Sequence, residues 1–157
     1  MNKVKVLLII LGLLSVSISK AYYSEFKFKN NQFHIGYNQI KIIETFDVME
    51  QYELDTTYQK DVKIKNNGNV DCYVRVLIVA SDESQVASYH LNLNDFEKIN
   101  DYYYYKKILK VNEVTPSILQ SIHTSNKLLE AFNIYVYCES VQSYGYNSAY
   151  EAFKDLK

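Results

Sequence analysis

Two apolar stretches joined by an Asn-rich turn, Lys60 to Ser81, constrain this chain more than any other part of it. In the first, Val62 and Ile64 alternate with Asp61, Lys63 and Lys65, the period-2 pattern of a half-buried strand. In the second, Cys72, Val74, Val76 and Ile78 share one face, and Tyr73, Arg75, Leu77 and Val79 share the other. Nearly every position there is β-branched, aromatic or apolar, so both faces are expected to be covered. Between them, Asn66-Asn67-Gly68-Asn69 supplies residues that tolerate positive φ. Two connections satisfy this pattern. A hairpin with the loop Asn67–Asn69 pairs Ile64 with Cys72 and Val62 with Val74; a tighter Asn67-Gly68 turn sets Ile64 against Asp71 and is worse. An arch crossing from one sheet to another fits equally well. Either connection makes this stretch the core of a β-sandwich.

The N-terminus reads as an export signal. Lys3 and Lys5 form a positive head, and Val6 to Ile18 is a greasy run broken by Gly12, Ser15 and Ser17. Ser19-Lys20-Ala21 then places small residues where a signal peptidase cuts, between Ala21 and Tyr22. The run is shorter than the ~20 residues of a spanning helix, so a cleaved leader leaves no stable membrane span. The expected organisation is a signal peptide over 1–21 and a single domain over 22–157. Cleavage removes Lys3, Lys5 and Lys20 and no acid, leaving 14 basic against 18 acidic residues, a net charge of −4. No basic region or nucleic-acid-binding motif is present, which argues against a nucleic-acid partner. With 16 tyrosines, one proline and four glycines, the composition suits strands rather than disorder.

Along the remainder, Tyr22–Lys29 alternates, with Phe26 and Phe28 against Lys27 and Lys29. Gln32–Gly36 and Ile40–Phe46 read as strands, 47–58 as an acidic loop, and 82–100 as an excursion with one helical turn. Tyr102–Tyr105 predicts a strand with tyrosines on both faces, followed by a turn at Lys110–Glu113. Further strands are expected at Ser117–Ile122 and Phe132–Val141. Ser148–Phe153 predicts a short amphipathic helix capped by Asn147 or Ser148. Cys72 and Cys138 each lie among apolar neighbours on a strand. If those strands face each other across the sandwich, a disulfide would close a long loop and add ~4 kcal/mol; the alternative is two buried thiols acting as small hydrophobes.

Enzymatic motifs are scarce. His34, His90 and His123 lie far apart without metal-ligand spacing, and neither a nucleophile elbow nor a phosphate-binding glycine loop occurs. No cofactor and no catalytic or metal-binding set is expected. The acids Glu50, Glu53, Asp55, Asp82 and Glu83 lack the spacing of a calcium loop and read as a solvated face. Arg75, the one arginine, reads as half of an internal salt bridge with an unassigned partner. Tyr102 to Tyr105, Tyr135, Tyr137, Tyr144, Tyr146 and Tyr150 divide between core and a contact surface for carbohydrate or protein.

Several ordered features together resemble the TasA and camelysin group of exported proteins, which use a dedicated signal peptidase. They are the leader ending Ala21-Tyr22-Tyr23, Val62–Val76 around Asn67-Gly68-Asn69 with Tyr73-Val74-Arg75-Val76, Tyr103-Tyr104-Tyr105 with Leu109, and Glu139-Ser140-Val141-Gln142 with Ala152-Phe153. The chain departs from that group in carrying Asn112 where Gly is common, and Phe96 and Phe153 where Trp is. The resemblance implies a jelly-roll-like β-sandwich, and together with the strand and helix patterns above the expected fold is an antiparallel β-sandwich of jelly-roll or Greek-key type with a short C-terminal helix. It also implies export to the cell surface or extracellular space. In fibre-forming members an N-terminal strand completes a neighbour's sheet, a role for which Tyr22–Lys29, with Phe26 and Phe28, has suitable chemistry. The expected function is therefore a biofilm-matrix or surface structural protein that associates with itself or with other matrix proteins. The alternatives are a camelysin-like metalloendopeptidase and an adhesive or carbohydrate-binding module.

Overall fold

A computed structural model describes residues 36–46, 53–127 and 131–155. All of them fall in the compact unit Ile35–Lys157. The expected leader, Ala21–Tyr22 cleavage site, Phe26–Phe28 strand and most of the expected Gln32–Gly36 strand, with His34 and Glu50, lie outside the described residues.

Alternation turns directly into strands. β1 (Ile40–Phe46), β2 (Thr57–Asn66), β4 (Val86–Leu91) and β7 (Leu119–Thr124) form one antiparallel sheet in the order β1-β2-β7-β4. β3 (Cys72–Ala80), β5 (Phe96–Ile99), β6 (Tyr102–Tyr105) and β8 (Ile134–Gln142) form the second, in the order β5-β6-β3-β8. This is an all-β sandwich. Only β1–β2 and β5–β6 are joined within a sheet, and every other connection crosses between sheets, the wiring of Greek-key sandwiches. The region 82–100 is more ordered than an excursion. After a single 3-10 turn at Glu83–Gln85 it contributes β4 to one sheet and β5 to the other.

The central pair is an arch. β2 and β3 belong to different sheets, so the hairpin register Ile64–Cys72 does not form. Instead, Ile40 lies opposite Asn66 and Ile42 opposite Ile64. None of Asn66–Asn69 has positive φ. Gly68 is required for a different reason. A Cβ there would stand 2.6 Å from the Tyr37 carbonyl oxygen and 2.9 Å from the Gln39 nitrogen, where the 37–39 backbone crosses the arch. Positive φ occurs instead at Asn112, at 65°, in the turn before β7.

The space between the sheets is filled by the inward parity of each strand. Val62, Ile64, Cys72, Val74, Val76, Phe96, Leu109, Ile118 and Leu119 are all fully buried there. Each large aliphatic side chain taken from water contributes about 1.5–3 kcal/mol. A strap from Leu109 to Ile118 closes one end. Leu109 and Cys72 exchange backbone hydrogen bonds of 3.1 and 2.8 Å, Thr115 N donates to the Ile64 carbonyl, and Ile118 N donates to that of Val62. The strap thus starts on one sheet and finishes on the other.

A second, smaller cluster lies on the outer face of β3 and β6. The helix Ala149–Lys154, capped by the Ser148 side chain, buries Ala149, Ala152 and Phe153 against Tyr73 and Tyr104. It covers only one half of that face. Leu77 and Val79 farther along β3 remain half-buried, so the apolar run on β3 has a covered and an uncovered half.

Candidate functional site

Arg75 projects from β3 toward the C-terminal helix, and its register partners decide its environment. Glu139 on β8 and Tyr104 on β6 lie directly opposite it on either side. Arg75 Nε donates to Glu139 Oε2 at 2.5 Å, and Nη1 donates to the Tyr104 hydroxyl at 3.4 Å. The guanidinium also stacks between two rings, 4.1 Å from the Tyr102 centroid and 4.5 Å from that of Phe153. Burial works to lower its pKa, but the Tyr104 and Glu139 contacts outweigh that and raise it. The salt-bridge partner unassigned by sequence is Glu139, whose parity with Arg75 exists only once β3 and β8 are paired.

Beside this clamp a cleft of about 570 Å³ runs along the edge of β8, lined chiefly by Asn38, Ile40, Arg75, Glu139, Ser140 and Phe153. The segment leading into β1 is held there by the arch: Tyr37 N donates to Asn69 Oδ1 at 2.7 Å, and Asn67 N to the Gln39 carbonyl at 2.8 Å. Asn38 Oδ1 is buried in this wall with no hydrogen-bond partner among the described residues. Nothing in the sequence pattern marks Asn38, because its position depends on the arch.

Among the described residues β8 has a strand neighbour, β3, on one side only. Its nine pairs with β3 run without a bulge, and its core-facing Ile134, Val136 and Cys138 are only half-buried. The other sheet edges differ. β4 is broken twice in register, β5 has four residues, and β1 carries Lys41 and Glu44. On the outer face of β8, Tyr135 and Tyr137 are 44% and 55% exposed, with ring centroids 6.3 Å apart.

The cysteines are free thiols rather than a bridge. Their strands do not face each other; they are neighbours in one sheet. Val76 lies opposite Cys138 and Cys72 opposite Gln142, so the thiols are offset by four residues, about 13 Å, along the strands. A disulfide requires Cα atoms within about 7 Å. Burial pushes both thiols up from 9.0, Cys72 to about 11 and Cys138 to about 12. The folded chain therefore keeps protons that the unfolded chain releases above pH 9, and stability falls as pH rises from there toward 11. For Cys138 the slope is up to about 1.4 kcal/mol per pH unit. Urea unfolding between pH 8.5 and 10.5 is expected to show the fall, and Cys138→Ala to reduce its slope to the part that Cys72 keeps; an unchanged slope in that variant would refute the assignment.

Other residues marked by sequence are used structurally. His123 contacts Asp55 Oδ1 through Nε2 at 3.0 Å and Thr57 Oγ1 through Nδ1 at 2.8 Å, tying the turn before β2 to β7. Asp82 caps the 3-10 turn, accepting from Ser84 N and Gln85 Nε2, and the Ser84 side chain first, then Gln85 and Ser84 N, hold its carboxyl below the usual range. Glu83 accepts from Ala80 N and the Tyr89 hydroxyl. These acids are hydrogen-bonded and exposed, as a solvated face requires. His90 is exposed on β4. Among the described residues no three His, Cys, Asp or Glu side chains converge as a metal site, and no helix is long and apolar enough to cross a membrane.

Lys60 was legible only through parity. It shares a face with Val62 and Ile64, and in the fold it is buried, with Nζ paired to Glu44 and lying 4.6 Å from the Phe46 ring centroid.

Fold and site together define an antiparallel β-sandwich with a helix-covered outer patch, an arginine clamp and a cleft along one regular sheet edge. Comparisons with models of known families, with curated proteins and with solved structures found no match.

Proposed function

We propose that this chain is a secreted cell-surface or extracellular-matrix structural protein that assembles by strand addition. The segment Tyr22–Lys29 of one copy, with Phe26 and Phe28 on its apolar face, pairs with the edge of β8 in the next. The observation that carries this reading is the edge itself. Natural sheets blunt their edges with bulges, short strands or charges, and β8 is long, regular and backed by half-buried apolar side chains. An added strand would satisfy its outer backbone groups and bury Ile134, Val136 and Cys138 more fully. The resemblance to the TasA and camelysin group supports the same reading, with signal peptidase cleavage after Ala21 releasing the donor segment.

Electron microscopy with size-exclusion chromatography tests it, on the chain beginning at Tyr22 and on a version lacking Tyr22–Lys29. Filaments or larger species from the first alone are expected. Monomers from both would refute assembly through this segment.

A further inference from the structure

We propose that the cleft beside β8 binds a glycan, taking the acetamido group of an N-acetylhexosamine, while the tyrosines of β8 carry neighbouring sugar rings. The inference does not rest on the assembly reading, but the cleft lies along the edge to which the added strand pairs, so a bound glycan and an added strand compete for it. Three observations point to it.

The first is the buried Asn38 Oδ1, an acceptor with no partner among the described residues. A buried polar atom left unpaired costs free energy; this one is shut off from water, so a ligand N–H pairs with it by turning the Asn38 side chain into the cleft that the residue lines. The second is Arg75. A guanidinium has five N–H donors; Arg75 uses Nε on Glu139 and Nη1 on Tyr104, so Nη2 is available to a carbonyl oxygen. A secondary amide offers both complementary groups, N–H and C=O, and its methyl group suits the apolar wall of Ile40 and Phe153. The cleft, at about 570 Å³, has the size of an ordinary small-ligand site.

The third observation selects a sugar over a peptide. Tyr137 and Glu139 are two residues apart on β8 and so share its outer face, and Tyr135 continues the row. The two rings are tilted by only 31° to each other and both are about half exposed. Exposed aromatic rings with hydroxyl tips present a flat apolar surface and a hydrogen-bonding group together, which matches the C–H face and hydroxyl rim of successive pyranose rings.

The test is titration of the whole chain, followed by NMR, with short oligomers of N-acetylglucosamine and with glucose oligomers of the same linkage. The acetamido oligomers are expected to bind about tenfold tighter, the value of one or two hydrogen bonds. Signals from the Asn38 side-chain amide and the Tyr137 ring should shift during the titration. Asn38→Ala is expected to erase the preference between the two sugars. Tyr137→Ala, a surface change, should retain the wild-type melting temperature and weaken oligomer binding about tenfold while preserving the preference. Absence of binding to folded protein, equal binding of both sugars, an unshifted Asn38 amide, or occupancy of the cleft by an extended peptide alone would each overturn the proposal.

Discussion

Replacing Asn66 by alanine is expected to lower the unfolding free energy by about 2–4 kcal/mol, because one buried and one part-buried backbone group lose their partners at about 1–3 kcal/mol each, the exposed side of the second reducing its share. Asn66 is fully buried at the end of β2. Its Oδ1 accepts from Gly68 N at 2.9 Å, and its Nδ2 donates to the Val70 carbonyl at 2.8 Å and the Leu109 carbonyl at 3.0 Å. One side chain thus ties the arch to the strap that closes the same end of the sandwich. The Leu109 carbonyl also accepts from Cys72 N, so the orphans left by alanine are Gly68 N–H and the Val70 carbonyl. Asn66→Asp keeps the shape but turns an acceptor toward two carbonyls, and is expected to be at least as damaging. Urea denaturation checks both: the midpoint should fall with an unchanged slope. A loss below about 1 kcal/mol for Asn66→Ala would mean that the arch is held by its backbone bonds alone.

Arg75→Ala is the second large effect, expected at about 2–3 kcal/mol and concentrated on the C-terminal helix. A helix of six residues has no stability of its own, so it depends on what it packs against. Arg75 supplies a long stem and a planar cation between Tyr102 and Phe153, each such contact being worth about 0.5–2 kcal/mol when partly desolvated. The Glu139 carboxylate is half exposed and its pairing is screened by water, so Glu139→Gln is expected to cost under about 1 kcal/mol. Arg75→Met keeps the stem and should recover part of the loss. Arg75→Lys, lacking the planar group, should recover less than its charge suggests. Hydrogen exchange at Ala152 and Phe153 reports the undocking directly; equal protection in Arg75→Ala and the parent chain would refute the clamp.

Much of the fold was legible where one strand's own pattern decided the outcome. Val62 and Ile64, the Cys72–Ile78 parity, Ile40–Phe46, the tyrosine run of β6 and the Ser148-capped helix all follow from period-2 or helical spacing and a capping hydroxyl. The same parity rule applied to Lys60 would have placed that lysine inward. The strands β4 and β5 were not legible. Each is short, with weak alternation, and exists as an edge because a neighbouring strand, β7 for β4 and β6 for β5, offers it backbone partners.

Local alternation determined by itself that this chain would form strands, which faces would be apolar, and that Lys60 to Ser81 would be its core. Tertiary structure alone decided that the turn is an arch, that Gly68 answers to the crossing 37–39 backbone, that Glu139 meets Arg75, and that Cys72 and Cys138 lie too far apart to bridge. The physical reason is that a strand's period specifies its faces but not its neighbour. Register and sheet membership are set by long-range pairing, and every feature of the cleft depends on which strand lies next to which.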